Sequence, residues 1–168
     1  MIRRMEIGIV GLGRMGANIT RRLMRDGHRC VVFDVNPDAA TELGKEGAEP
    51  AADLAEMASM LTPPRAIWVM VPAGRITRET IDSVAAELES GDLIIDGGNT
   101  YYRDDIEIAG RLAESGIDHI DCGTSGGVFG LERGYCLMIG GPKEAYERVE
   151  PIFRTLAPGV DSAERTPG

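Results

Sequence analysis

The chain has 168 residues, 43% of them apolar and 27% charged, the size and make-up of one folded domain and not of a disordered segment. With 18 basic against 27 acidic residues the formal charge is -9, which repels phosphate backbones and anionic lipid, so neither nucleic acid nor a membrane is an expected partner. No apolar run approaches the ~20 residues that span a bilayer, Met1-Ile2-Arg3-Arg4 lacks a signal-peptide core, and Cys30, Cys122 and Cys136 are too dispersed for a disulfide framework, so free thiols and a cytoplasmic location are expected.

Glu6 to Val10 is a short apolar run halted by Gly11 and reads as a buried strand. Met15, Ile19 and Leu23 recur at spacing four, one face of a helix that stops at Gly27. Arg29 to Asp34 reads as a second strand. Asn36-Pro37 supplies an N-cap and a first-turn proline for a helix running to about Glu46. A weak strand is expected through Ala48 to Ala51. Asp53 with Glu56 gives the capping pattern of a short helix closed by Pro63-Pro64. Beyond it, Ala66 to Val71 reads as strand, Ile76 to Leu88 as helix and Leu93 to Asp96 as strand. Residues 102–115 read as helix, 117–122 and 135–139 as strands, and Lys143 to Leu156 as the last helix. Strands apolar at nearly every position, alternating with helices, need cover on both faces. The expected fold is therefore α/β: a doubly wound, mostly parallel Rossmann sheet with helices on both faces and ligands at the carboxyl ends of its strands. Residues 1–157 form the expected domain, and 158–168 read as the start of a linker.

Gly11-Leu12-Gly13-Arg14-Met15-Gly16 is G-x-G-x-x-G set between the first strand and the first helix. The first glycine permits the tight turn, the second lets a pyrophosphate approach the backbone, and the third lets helix and strand pack closely. The N–H groups of the helix's first turn and its dipole suit phosphate. Asp34 ends the second strand, 18 residues after Gly16, where a carboxylate can accept from both ribose hydroxyls and repels a 2′-phosphate. Asn36 fits the cap of the next helix, which leaves Asp34 free. Since Val35, Asn36 and Pro37 bring no cation, NAD is expected and NADP less so.

Further segments narrow the reading. They are Val69 to Gly74, Asp96-Gly97-Gly98-Asn99-Thr100, Asp121 to Gly127 with Gly130 and Gly134 downstream, and Cys136 to Gly141. With the glycine turn they resemble the cofactor domain of the decarboxylating 6-phosphogluconate dehydrogenase family, within the wider β-hydroxyacid dehydrogenases, from about Glu6 to about Gly159. The resemblance implies that Gly11, Leu12, Gly13, Arg14, Met15, Gly16 and Asp34 bind the dinucleotide. Val71, Pro72 and Ala73 would line its channel, and Asn99 would bridge cofactor and substrate. Ser125, Gly126 and Gly127 would bind the sugar acid 6-phosphogluconate. It further implies oxidation at C3 followed by decarboxylation to ribulose 5-phosphate, in a homodimer when the enzyme is complete. On the residues alone, Asn99 also reads as a helix cap and Ser125-Gly126-Gly127 as an ordinary turn.

The sequence departs from the family in places. Asp34-Val35-Asn36 stands where many members carry Asn-Arg-Ser/Thr, Pro72 replaces a common lysine, and Thr124 replaces an apolar residue. The family's lysine and glutamate acid–base groups lie on helices beyond its cofactor domain. Lys45 and Lys143, the two lysines here, lie outside the glycine-rich approach that the family's base requires and read as surface charges. The expectation is a chain that binds cofactor, holds no catalytic residue and turns over no substrate alone. A smaller hydroxy acid such as hydroxyisobutyrate or tartronate semialdehyde, or a non-catalytic nucleotide sensor, are the other readings. No metal site is expected, because His28 with Cys30 and His119 with Cys122 lack further ligands at zinc-like spacing. Arg3-Arg4 and Arg21-Arg22-Arg25 read as solvated faces, Trp68 as core, and Tyr101-Tyr102 as packing or interface.

Overall fold

The computed structural model describes residues 3–159 and 162. Seven strands, β1 (Glu6–Val10), β2 (Arg29–Phe33), β3 (Glu49–Pro50), β4 (Ala66–Val69), β5 (Leu93–Asp96), β6 (Asp118–Ser125) and β7 (Cys136–Gly140), form one sheet in the order β3-β2-β1-β4-β5-β6-β7. All pairings are parallel except β6 with β7. The helices are α1 (Arg14–Arg25), α2 (Pro37–Lys45), α3 (Leu54–Met60), α4 (Arg75–Ala85), α5 (Tyr102–Glu114), α6 (Gly130–Arg133) and α7 (Lys143–Leu156).

The side chains of each central strand alternate between two cores. Ile7, Ile9, Val32, Trp68 and Ile95 face α1 and α7 through Ile19, Leu23, Val149, Ile152 and Phe153. Val10, Val31, Ile67, Val69 and Ile94 face α3, α4 and α5 through Met57, Ile81, Val84, Ile108 and Leu112. Each buried aliphatic side chain contributes roughly 1.5–3 kcal/mol, so a strand with no polar face is stable only when both faces are covered. Strand order reverses between β1 and β4, the point where an open α/β sheet leaves a crevice at its carboxyl edge.

Local signals act as the sequence implies. Asn36 Oδ1 accepts from the Asp38 N–H at 3.1 Å to cap α2, and Asp53 Oδ1 accepts from the Glu56 N–H at 2.8 Å to cap α3. Two expectations are corrected. Strand β6 runs on to Ser125, three residues past the expected end, because antiparallel pairing with β7 satisfies its backbone through Ser125 opposite Cys136. Arg22 is not a solvated charge: its guanidinium donates to the carbonyls of Thr155 at 2.8 Å and Ala157 at 3.2 Å, at the open carbonyl end of α7, and to that of Leu131 in α6 at 3.2 Å. Arg21 and Arg25 are held by Glu46 and Glu132. The expected linker lies largely outside the described residues.

Candidate functional site

A cavity of about 670 Å³ opens at the carboxyl edge beside the switch point, between the end of β2 and α4, and Gly11, Gly13, Phe33, Asp34, Val71 and Pro72 line part of it. A second, of about 280 Å³, is lined by Gly13, Arg14, Met15, Gly16, Met70, Val71, Gly97, Gly98 and Asn99. Gly13, Met70 and Val71 belong to both, so the two form one trough across the strand ends from β2 to β5. Another cavity, of about 270 Å³, lies at the opposite edge near Arg3, Arg4 and Arg65 and has no part in this trough.

The three glycines of the first turn answer to different neighbours. A Cβ on Gly11, whose φ is 92°, meets the Met70 carbonyl oxygen at 2.3 Å, and one on Gly16 meets the Gly11 carbonyl oxygen at 1.9 Å. These two are required by packing of turn, helix and strand. Gly13 has an ordinary φ of -60° and open space where its Cβ would stand. Nothing in the protein requires a glycine there, and the space above it is open to a group approaching from the trough. Ala17 makes the first intrahelical bond, to the Gly13 carbonyl at 2.9 Å, so the N–H groups of Arg14, Met15 and Gly16 have no intrahelical acceptor. Arg14 is exposed at this helix end, and no acidic residue occupies the first turn of α1. Backbone amides, helix dipole and a cation therefore point toward one place, a combination suited to a diphosphate.

Asp34 stands at the wall of the larger cavity. Its Oδ2 accepts from the Leu12 N–H at 2.6 Å and its Oδ1 from the Asn36 N–H at 2.8 Å. This corrects the expectation of a free carboxylate: α2 is indeed capped by Asn36, but Asp34 is also the tie between the glycine turn and β2. Each oxygen keeps a second acceptor position. The Leu12 side chain is buried in the core, so Leu12 contributes backbone only.

At the other end of the trough, Asp96 terminates β5 fully buried. Its Oδ1 accepts from the Gly98 N–H at 2.8 Å and its Oδ2 from the Thr100 hydroxyl at 2.6 Å. A Cβ on Gly97 would meet Trp68 Nε1 at 2.2 Å, and one on Gly98 the Val71 carbonyl oxygen at 2.8 Å. The two glycines press against the core and Asn99 is turned outward with φ of 54°, the left-handed region that asparagine tolerates better than most residues. Asn99 does not cap α5, since Tyr101 holds the N-cap position. Instead its Oδ1 accepts from the Thr124 N–H at 3.0 Å and its Nδ2 donates to the Thr124 carbonyl at 3.5 Å. Asn99 is thereby joined to the strand that ends in Ser125, and Ser125 is exposed at that strand end. Gly126 and Gly127 have φ of 155° and 48° and open a short 3-10 turn, Gly127–Phe129, leading into α6. Tyr135 packs fully buried beneath this bend, 2.9 Å from a Cβ on Gly126 and 2.0 Å from one on Gly130.

Of the residues expected at the site, Gly11, Gly13, Arg14, Met15, Gly16, Asp34, Val71, Pro72 and Asn99 line the trough. Ala73 is exposed and lines neither cavity, and Ser125, Gly126 and Gly127 lie outside both walls. Lys45 and Lys143 are exposed, paired with Glu42 and Glu147, and line neither cavity. Ile76, Glu79, Thr80 and Ser83 were not anticipated as cavity lining. Their i, i+3, i+4, i+7 spacing was the available signal: it marks a second face of α4, next to the one that buries Thr77, Ile81 and Val84. His119 lies beside the buried carboxylates of Asp96 and Asp105, one ligand atom of each within 4.8 Å of the others. Sheet register causes this, since Ile94 pairs with His119 and Asp96 with Asp121, putting those side chains on the face that α5 covers.

Known proteins agree with this geometry. The family described as the NAD binding domain of 6-phosphogluconate dehydrogenase matches residues 6–163. YqeC of Bacillus subtilis, a putative 6-phosphogluconate dehydrogenase by name, is 45% identical over 153 residues, which cover 91% of this chain and 51% of that protein. The NAD(+)-dependent, decarboxylating 6-phosphogluconate dehydrogenase of Haloferax volcanii is 38% identical over 157 residues, 94% of this chain and 52% of that protein. Among solved structures, Plasmodium falciparum 6-phosphogluconate dehydrogenase superposes with a TM-score of 0.87 at 27% identity, over 94% of this chain and 35% of the other. The 3-hydroxyisobutyrate dehydrogenase of Mycobacterium tuberculosis gives 0.85 at 26% identity, over 93% and 53%. The chain spans about half the length of these two curated relatives. A pyridine-nucleotide trough on a doubly wound sheet and a family match over almost the whole chain lead to one conclusion: the chain belongs to the family of the NAD binding domain of 6-phosphogluconate dehydrogenase.

Proposed function

We propose that this chain is the cofactor-binding part of an NAD-preferring, decarboxylating 6-phosphogluconate dehydrogenase. The observation that carries the reading is the continuity of the trough: it runs from Asp34 past Gly13 to Asn99, whose amide is tied to the strand ending in Ser125. In this reading the amides around Gly13 and Arg14 hold the pyrophosphate and Asp34 accepts from the adenosine ribose. Val71 and Pro72 form the floor between the two halves of the cofactor. Once bound, the nicotinamide supplies a hydride acceptor. Asn99 donates and accepts at once, which suits a group placed between cofactor and hydroxy acid, while Ser125, Gly126 and Gly127 offer a hydroxyl and bare amides to the acid.

Preference for NAD follows from charge. The larger cavity is lined by two carboxylates, Asp34 and Glu79, and by no lysine or arginine among the described residues. A 2′-phosphate placed there meets like charge without a compensating cation. Neither Lys45 nor Lys143 reaches the trough, so the general base of the dehydrogenation is not drawn from these lysines, and this segment alone binds without turnover. Three free cysteines, two of them buried, fit a reducing cytoplasm. Among the described residues no helix is long and apolar enough to cross a membrane. For the longer protein we infer a homodimer, on the family resemblance.

Calorimetry tests the reading. NAD titrated into the purified chain should bind, and 6-phosphogluconate should then bind more tightly to the NAD-loaded protein, with the coupling lost in Asn99→Ala. Coupling to 3-hydroxyisobutyrate and not to 6-phosphogluconate would transfer the assignment to the smaller acids. Nucleotide binding indifferent to both would leave a sensor.

A further inference from the structure

Beneath the turn that carries Asn99 lies a cluster the proposed chemistry does not use. Asp96 comes from the end of β5, His119 from β6 and Asp105 from the first turns of α5, and one ligand atom from each lies within 4.8 Å of the other two. All three are buried, at 0%, 5% and 4% exposure. Asp121, half-buried on β6, is in register with Asp96 on the same face of the sheet. Among the described residues no lysine or arginine pairs with Asp96, Asp105 or Asp121.

Both carboxylate oxygens of Asp105 and the Nε2 of His119 are buried with no donor paired to them, and the side chain within hydrogen-bonding range of Asp105 is another acid, Asp96. Leaving such groups unsatisfied costs about 1–3 kcal/mol each, and more when they are charged. The two point at each other: His119 Nε2 and Asp105 Oδ1 are 3.8 Å apart. That separation is too long for a hydrogen bond, so one proton between them satisfies neither. It is within the span of two donors on a single ion, each ~2.0–2.2 Å from it.

We propose that Asp96, Asp105 and His119 form a binding site for one divalent first-row metal ion such as Zn²⁺ or Mn²⁺, tying the Gly98–Thr100 turn to α5 and β6. One imidazole nitrogen with carboxylate oxygens is a borderline donor set, which favours these ions over Mg²⁺ or Ca²⁺. Asp96 keeps an acceptor position on each oxygen after binding Gly98 and Thr100. The ion is structural in this proposal. It shares no ligand with the dinucleotide trough, so it can fail while the proposed function holds.

The test uses the purified chain, stripped with a chelator and titrated separately with Zn²⁺ and Mn²⁺. One equivalent should bind and raise the melting temperature. Asp105→Asn and His119→Gln should each weaken binding by at least about 100-fold, the upper end of what loss of an outer-shell partner costs. Asp105→Asn keeps the side-chain shape and removes a buried charge, so it should fold, as far-UV circular dichroism checks. X-ray absorption of the Zn²⁺-loaded wild-type chain, which depends on no variant, should show a nitrogen and oxygen shell with imidazole scattering. No binding, unchanged affinity in both variants, or sulfur in the shell (the exposed Cys136 thiol being the competing ligand) would each overturn the site.

Discussion

The Leu12 amide donates to the Asp34 carboxylate at 2.6 Å, so the residue proposed to grip the adenosine sugar also fixes the turn proposed to hold the phosphates. One side chain serves both halves of the proposed subsite. Replacing its carboxylate with a neutral amide therefore acts twice. Asp34→Asn should weaken NAD binding by about 10- to 100-fold, the worth of a hydrogen bond to a charged group at ~1.5–3 kcal/mol. NADP affinity should fall less, because the repulsion of its 2′-phosphate is relieved. Parallel titrations of the two nucleotides check this, and an unchanged NAD-to-NADP ratio would remove Asp34 as the discriminator.

The second and third glycines of the turn separate binding from folding. Gly13→Ala adds a methyl group in open space at an ordinary φ but replaces an N-cap glycine, so thermal stability should change by no more than about 1 kcal/mol. NAD affinity should nevertheless drop at least about tenfold, since the methyl group occupies the pyrophosphate's approach. Gly16→Ala drives a methyl group into the Gly11 carbonyl and should destabilise the fold by roughly 1–3 kcal/mol or more. A Gly13→Ala variant destabilised by more than about 1 kcal/mol, or one with full affinity, would show that the space above Gly13 has another use.

Tyr135 is fully buried, and its hydroxyl has no hydrogen-bond partner. Tyr135→Phe should therefore be neutral or stabilising by about 1 kcal/mol. Tyr135→Ala removes the ring that supports Gly126 and Gly130 and should cost ~3–5 kcal/mol, as other large aromatic truncations do. Denaturant melts of the two variants decide whether ring or hydroxyl matters.

His28 gives the stability a pH dependence of known sign. Burial, partly offset by Asp26, holds its imidazole below the ordinary value of 6.5. Its Nδ1 accepts from the Met5 N–H at 3.1 Å and its Nε2 meets the Thr155 hydroxyl at 2.9 Å, an arrangement of the neutral ring. The unfolded chain takes up the proton first as pH falls. The His28 contribution is thus fully present above about pH 6.5 and declines from there through the depressed folded value. Melting temperature measured from about pH 8 to pH 5 should fall over that lower range, with a shallower slope in His28→Gln. Equal slopes would assign the dependence to other groups.

Much of the frame was legible because its signals are local. Apolar runs such as Ile7 to Val10 and Leu93 to Asp96 and caps such as Asn36 act within a few residues, and the elements appear where those signals put them. The glycine turn was legible for the same reason. What escaped depends on distant segments meeting. The last residues of β6 are strand only because β7 folds back against them. Arg22 is a helix-end donor only because α7 ends beside α1. Asp96, Asp105 and His119 converge only through the β5–β6 register and the cover that α5 supplies.

The account rests on the trough from Asp34 to Asn99 accepting a dinucleotide, and direct titration of the purified chain with NAD and NADP by calorimetry tests it most simply. One site per chain, with NAD bound more tightly than NADP, is the predicted result. An absence of heat for both nucleotides, with the protein folded by circular dichroism, would contradict it.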